Sequence, residues 1–233
     1  MMPTMADRKI SIVIPTLNAA GVLPACLNAL VPAALEGLVK EVVVSDGGSQ
    51  DDTLAAGQAA GAVIVRGARG RGRQLAAGAR AARAPWLLFL HADTLLAPDW
   101  TTVARTHMER DDARAGAFRF RLDDTRWPAR VLEAGVALRC ALFGLPYGDQ
   151  GLLVSRALYD AVGGFSEDMP LMEDVDMVRR IGRGRLEMLS ADAVTSAERY
   201  GRDGYARRVM TNLRCLAMYY AGVAPDKIVG RYG

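Results

Sequence analysis

Short apolar runs alternate with helix-length stretches through the first half of the chain, a pattern that predicts stacked βα units. Ile10–Ile14 (ISIVI) is a β-branched run that Pro15 ends, and Ala19–Leu30 predicts a helix. Glu41–Ser45 (EVVVS) and Ala62–Val65 (AVIV) predict the second and third strands, with Asp51 and Asp52 placed to cap a helix running to about Ala60. Arg73–Ala82 predicts an Ala-rich helix. Trp86–Leu90 (WLLFL) predicts a fourth strand, apolar throughout, as a strand covered on both faces should be. Pro98 then opens a helix, in the first-turn position where its missing N–H does no harm.

The second half is less regular. Ala115–Leu122 predicts a strand, Trp127–Phe143 a helix, Gly151–Val154 a short strand and Arg156–Val162 a helix. Gly163-Gly164-Phe165 is a turn, Asp174–Ile181 a short helix and Tyr205–Tyr220 the last helix. In that last helix Tyr205, Val209, Leu213, Leu216 and Tyr220 recur at spacings of three and four, while Arg207, Arg208 and Arg214 lie off the stripe. Such a basic, amphipathic helix packs on the core, on a partner chain as in a homodimer, or peripherally on a membrane surface. No repeat, low-complexity tract or linker interrupts the pattern, so residues 1–233 are expected to form a single α/β domain.

Composition narrows the function. A hydrophobic content of 51% supports a real core, and 29 basic against 26 acidic residues leave a net charge of only +3, too little to imply a nucleic-acid partner. Cys26, Cys140 and Cys215 are odd in number and widely spaced, which disfavours structural zinc or a disulfide framework and suits a cytoplasmic protein. The N-terminal MMPTMADRK lacks the apolar core of a signal peptide. Ile10 to Leu35 carries no charge, yet Pro15, Asn18, Pro24, Asn28 and Pro32 interrupt it, so no transmembrane segment is expected.

Polar residues gather just after the strands, where ligands bind in open α/β sheets. After strand one stand Pro15, Thr16 and Asn18; after strand two, Asp46-Gly47-Gly48-Ser49; after strand four, His91-Ala92-Asp93-Thr94. Each alone would pass for an ordinary turn. Their recurrence at corresponding strand ends points to a site. A carboxylate such as Asp93 at the end of a buried strand suits a hard divalent cation, Mn²⁺ or Mg²⁺, that bridges a diphosphate and neutralises a leaving group. His91 is a second ligand, a donor-binding group or a satisfied histidine at the strand end. Glu173 and Asp174 either complement a helix dipole or supply the base that takes a proton from an acceptor hydroxyl. The run Arg66 to Gln74, with Arg71 among its arginines, offers glycine amides and guanidinium groups to phosphate, or is a solvated loop. It is neither a P-loop nor GxGxxG, since Leu75 stands where the third glycine belongs.

Together these motifs resemble the family 2 glycosyltransferases, whose GT-A fold is a Rossmann-like mixed sheet flanked by helices. ISIVIPTLNA is similar to that family's opening strand and nucleotide-contacting loop, which implies nucleotide-sugar contacts for Pro15, Thr16 and Asn18. EVVVSDGGSQDDT resembles its V-V-D-D-G-S-x-D-x-T segment, implying that Asp46, beside Gly47, reads base and ribose. The Arg71–Gly78 stretch, with Gln74, resembles the segment bearing N/R-x-G-x-x-x-A-x-N-x-G, and His91-Ala92-Asp93 falls on the D-x-D motif. GGFSEDMPLMEDVDM resembles the GGF…ED segment, which makes Asp174 the expected base. The resemblance covers roughly residues 8–180 and implies an inverting, metal-dependent transfer from a nucleotide-diphosphate sugar to an acceptor hydroxyl on a small metabolite or lipid-linked molecule. A nucleotide-binding half of about 8–95 and an acceptor half of about 96–233 follow. Two departures stand out: His91 replaces the first acid of D-x-D, and Gly47-Gly48 follows Asp46. The compact size and His-Ala-Asp-Thr form are similar to a stand-alone bacterial subgroup associated with small glycosylated metabolites. A nucleotidyltransferase of like architecture or a non-catalytic nucleotide-sugar binding module are the alternatives; the first would carry a Gly-rich basic loop after strand one, and the second has no need of Glu173-Asp174.

Overall fold

The β-branched runs form the middle of one eight-stranded sheet in the computed structural model, which describes residues 8–110, 112–169 and 171–232. Strands β1 (Ile10–Thr16), β2 (Val39–Asp46), β3 (Val63–Arg66) and β4 (Trp86–Phe89) are parallel, in the order β3-β2-β1-β4. The sheet then continues through β7 (Leu152–Ser155), β6 (Ala115–Leu122), β8 (Leu186–Thr195) and β5 (Thr94–Leu96). Strand β7 runs antiparallel to β4 and to β6, whereas β8 is parallel to β6. The mixed α/β architecture expected from the sequence is therefore present, with helices on the flanks.

Alternation along β1 divides the core between the sheet's two faces. Ile10, Ile12 and Ile14 pack with Leu23, Cys26 and Leu30 of α1 (Leu23–Leu35) and with Trp100 of α4 (Trp100–Arg110). On the other face Val13, Leu87 and Phe89 meet Leu75 and Ala79 of α3 (Arg71–Ala81) and Met177 and Ile181 of α7 (Glu173–Ile181). Helix α3 lies so close to the sheet that a Cβ on Gly78 would run into the Val13 side chain. That contact needs glycine.

Several boundaries differ from the expected ones for identifiable reasons. Strand β1 continues through Pro15 because that residue's N–H position faces the β4 side, where β4 has already ended at Phe89. Helix α1 starts later and tolerates Pro32 because Pro32 and Asn28, whose carbonyl it frees, both lie on the exposed side. Asp52 makes no side-chain cap on α2 (Thr53–Ala59); Asp51 accepts from Thr53 N at 3.1 Å instead. Pro98 does not open α4, since β5 and a turn precede it. Strands β5 and β8 and helices α8 (Glu198–Asp203) and α10 (Pro225–Tyr232) had no sequence forecast, whereas β6, α5 (Trp127–Phe143) and α9 (Tyr205–Tyr220) match theirs residue for residue. The remaining helix, α6, is Arg156–Ala161.

The stripe forecast on α9 is rotated. Leu213 and Tyr220 are 53% and 52% exposed, whereas Cys215 is buried against Leu171, Met172, Val175 and Ile228. Arg208, which lies off that stripe, has a side chain only 12% exposed.

Candidate active site

Five carboxylates, Asp46, Asp93, Asp149, Glu173 and Asp174, lie at or beside the sheet edge where the parallel strands end, and their surroundings differ. Asp46 closes β2 and is 2% exposed. Thr16 Oγ1 and Ser49 Oγ donate to its Oδ1 at 3.0 and 2.5 Å, while the amides of Gly48 and Ser49 donate to Oδ2 at 2.9 and 2.8 Å. Burial pushes its pKa up, but these hydrogen bonds outweigh it and hold the carboxyl below the usual range. Asp46 thus shapes the turn that presents Gly47 and Gly48. Asn18, in the left-handed region at φ 50°, ties the first loop to that turn: its amide donates to Ser49 Oγ and its Oδ1 accepts from Gln50 N, both at 2.8 Å.

Gln74 is a brace of the site. Its Nε2 donates to the carbonyls of Thr16 (2.6 Å) and Ser45 (3.1 Å), joining the ends of β1 and β2, and its side-chain amide backs Gly47. The glycine-rich stretch before it does not hold free amides throughout: Gly72 N donates to Met169 O at 3.2 Å. A side chain at Gly72 would collide with the backbone of Ser166 and Met169, so packing against the 166–169 segment fixes this glycine.

Arg71, His91, Asp93 and Asp174 line one cleft. Pro15, Gln74 and Asp46 are not among its lining residues, and Ala92 is packed into the core. Sequence reasoning missed much of the rest of the wall, which includes Tyr147, Asp149, Thr195, Tyr200, Arg208 and Asn212. The missed signal is topological. Strand β7 is antiparallel, with Leu152 opposite Phe89, so residues before β7 share the edge with residues after β4. Looking only beyond strand C-termini passes over Tyr147-Gly148-Asp149.

Asp174 and Glu173 diverge. Gly148 N donates to Asp174 Oδ2 at 2.7 Å, Val175 N donates to Oδ1 at 2.8 Å, and the carboxylate lines the cleft near His91. Glu173 is fully buried and lines a neighbouring apolar recess with Leu75, Phe89, Phe165 and Val178. Arg71 Nη1 approaches its Oε1 at 3.4 Å, and Oε2 has no hydrogen-bond partner. Burial, with the Asp174 charge and against the pull of Arg71, raises its pKa to about 7. Asp149 has an unpartnered, solvent-shielded Oδ1; burial, with Asp174 and Asp93 and against Arg139, raises its pKa to about 6.

Among the described residues no three His, Cys, Asp or Glu side chains are grouped to hold a metal ion. Asp93 and the orphaned Oδ1 of Asp149 nonetheless place carboxylate oxygens in one cleft. That set fits a hard cation which takes its remaining ligands from phosphate and water.

A model of glycosyl transferase family 2 matches residues 11–164. The chain is 32% identical over 190 residues to a PGL/p-HBAD biosynthesis glycosyltransferase of Mycobacterium tuberculosis, covering 74% of this chain and 69% of that protein. A Mycobacterium bovis protein of the same description matches at the same 32%. Among solved structures, glucosyl-3-phosphoglycerate synthase from Mycobacterium tuberculosis, in complex with Mn²⁺, UDP and glucosyl-3-phosphoglycerate, superposes with a TM-score of 0.61 at 21% identity, over 89% of this chain and 79% of that one. The same synthase with Mg²⁺ and UDP gives a TM-score of 0.60, also at 21% identity and over the same shares.

Proposed function

Because this chain belongs to glycosyl transferase family 2, with the GT-A fold, and is a glycosyltransferase, we propose that it moves a sugar from a nucleotide-diphosphate donor to an acceptor hydroxyl with inversion, using Mn²⁺ or Mg²⁺. The observation that carries this reading is Asp174, a carboxylate held by backbone amides and facing the same cleft as Asp93 and His91. UDP in the structures of similar fold makes a uridine donor the first to test.

In this mechanism Asp174 takes the proton of the acceptor hydroxyl as its oxygen attacks the anomeric carbon. The carbon–oxygen bond to the diphosphate breaks on the opposite face, and the nucleoside diphosphate leaves with the bonding electrons. Asp93 and Asp149 would hold a divalent cation, which would neutralise charge on the diphosphate. Arg71 adds a guanidinium on the cleft wall, and Asp46, Asn18 and Gln74 shape the loops that receive the nucleoside. We assign these roles within one domain spanning 1–233, with the donor half at about 8–95. The three free cysteines fit a reducing cytoplasm.

The test is Asp174→Asn, which keeps shape and removes basicity. Turnover of a UDP-sugar should fall by roughly 10²–10⁴-fold while UDP binding in Mn²⁺ persists. An active Asn variant, or a product that retains the anomeric configuration by NMR, refutes the assignment.

A further inference from the structure

Helix α5 turns its apolar side outward. Its buried positions are Ala129, Glu133, Val136 and Cys140, one regular inner face. Trp127, Val131, Leu138, Leu142 and Phe143 are 52–76% exposed. Of the ten exposed positions on this 17-residue helix, Arg130 alone is charged. A helix lying on a core should show the reverse pattern, with polar residues toward water.

The charge around this face is basic. Arg126 precedes the helix, Arg130 lies in its second turn, and the exposed Arg183 donates to Ala141 O at 3.0 Å near its end. The acids that answer them are withdrawn: Glu133 is 4% and Asp124 9% exposed at the side chain. Asp123 is the exposed acid nearest in sequence, and its Oδ1 accepts from Ala197 N.

We propose that the outward face of α5 docks on an anionic lipid bilayer, lying in the interface plane. A stable dimer needs about 20–30 residues a side, more than this one helix supplies, whereas an interfacial helix needs only an apolar stripe with basic flanks. Among the described residues no helix is long and apolar enough to cross a membrane, so the contact is peripheral. Gly144 ends α5, and Tyr147, Gly148 and Asp149 follow directly into the cleft. Docking therefore brings the cleft wall close to the bilayer, where an amphipathic acceptor would be presented. The docking itself does not depend on the proposed chemistry.

Flotation with vesicles of phosphatidylcholine plus phosphatidylglycerol, and of phosphatidylcholine alone, tests this without donor or acceptor. The protein should float with the anionic vesicles at low salt and be released by high salt. Leu138→Glu with Leu142→Glu, both at exposed positions, should lower the bound-to-free ratio about tenfold or more. Vesicles should also blue-shift tryptophan emission, and Trp127→Phe should abolish the shift because Trp86 and Trp100 are already buried. Absence of flotation at low salt overturns the proposal, as does undiminished flotation of the double variant. A wild-type dimer that the double variant converts to monomer would instead assign the face to a second copy.

Discussion

Glu173 offers a stability measurement that isolates one buried carboxyl. Its pKa of about 7 in the fold stands against an ordinary value of 4.5. An acid with a raised folded pKa holds its proton more tightly folded than unfolded. Its contribution to stability is therefore complete below about pH 4.5 and is lost as pH rises toward 7. Taking those two values, the loss between pH 5 and pH 8 comes to about 2.5 kcal/mol. Glu173→Gln keeps the shape and removes the titration, so the stability of the variant relative to wild type should improve by about that amount over the same interval. Urea unfolding of both proteins at pH 5 and pH 8, followed by near-UV circular dichroism, gives the two differences. Other titrating groups cancel where they do not couple to Glu173. A relative stability that stays constant within about 0.5 kcal/mol would mean that Glu173 is solvated, or fully compensated by Arg71, in the folded protein.

Three further predictions concern neighbouring parts of the site. Asp93→Ala should remove the Mn²⁺-dependent part of the thermal stabilisation by UDP and leave the unliganded melting temperature nearly unchanged; an intact Mn²⁺ effect excludes Asp93 as the metal-bearing carboxylate. Asp46→Ala should weaken UDP more than pyrophosphate in calorimetric titrations, and equal weakening would reduce Asp46 to a turn former. Gly78→Ala should destabilise by roughly 1–3 kcal/mol, because its Cβ meets Val13 where the better helix propensity of Ala would otherwise help. A raised melting temperature would show that α3 can move off the sheet.

How much of this was legible in sequence depended on how one-sided each element's environment is. Strands β1 and β4 are covered on both faces, so their continuous apolar runs announced them. Strand β8 was hidden because its inner positions are largely small, with Ala191 and Ala193, while Glu187 and Asp192 answer Arg110 and Arg119 through ion pairs. Only the fold brings those partners together. Helix α5 was legible as a helix from length and composition, yet its outward apolar side could not be told from a core side. On α9 the apolar stripe at 205, 209, 213, 216 and 220 left core, partner and membrane all open, whereas Arg208, Asn212 and Cys215 face inward because the cleft and the Leu171–Val175 segment lie there. Periodicity finds a face. It does not say what the face meets.

The adjacent acids at 173 and 174 illustrate the same limit within the candidate site. On a helix, successive side chains leave the axis about 100° apart, so neighbours in sequence meet different surroundings. The first turn of α7 sends Asp174 to the cleft, where amides of Gly148 and Val175 hold it, and sends Glu173 into an apolar recess beside Arg71. Burial among Leu75, Phe89 and Phe165 favours a protonated Glu173. Two residues that sequence offers as one pair thus stand in different surroundings, one held by backbone amides at the cleft and one buried beside Arg71. The proposed role of base therefore goes to Asp174, the carboxylate that lines the cleft with Asp93 and His91, while Glu173 lies against Arg71.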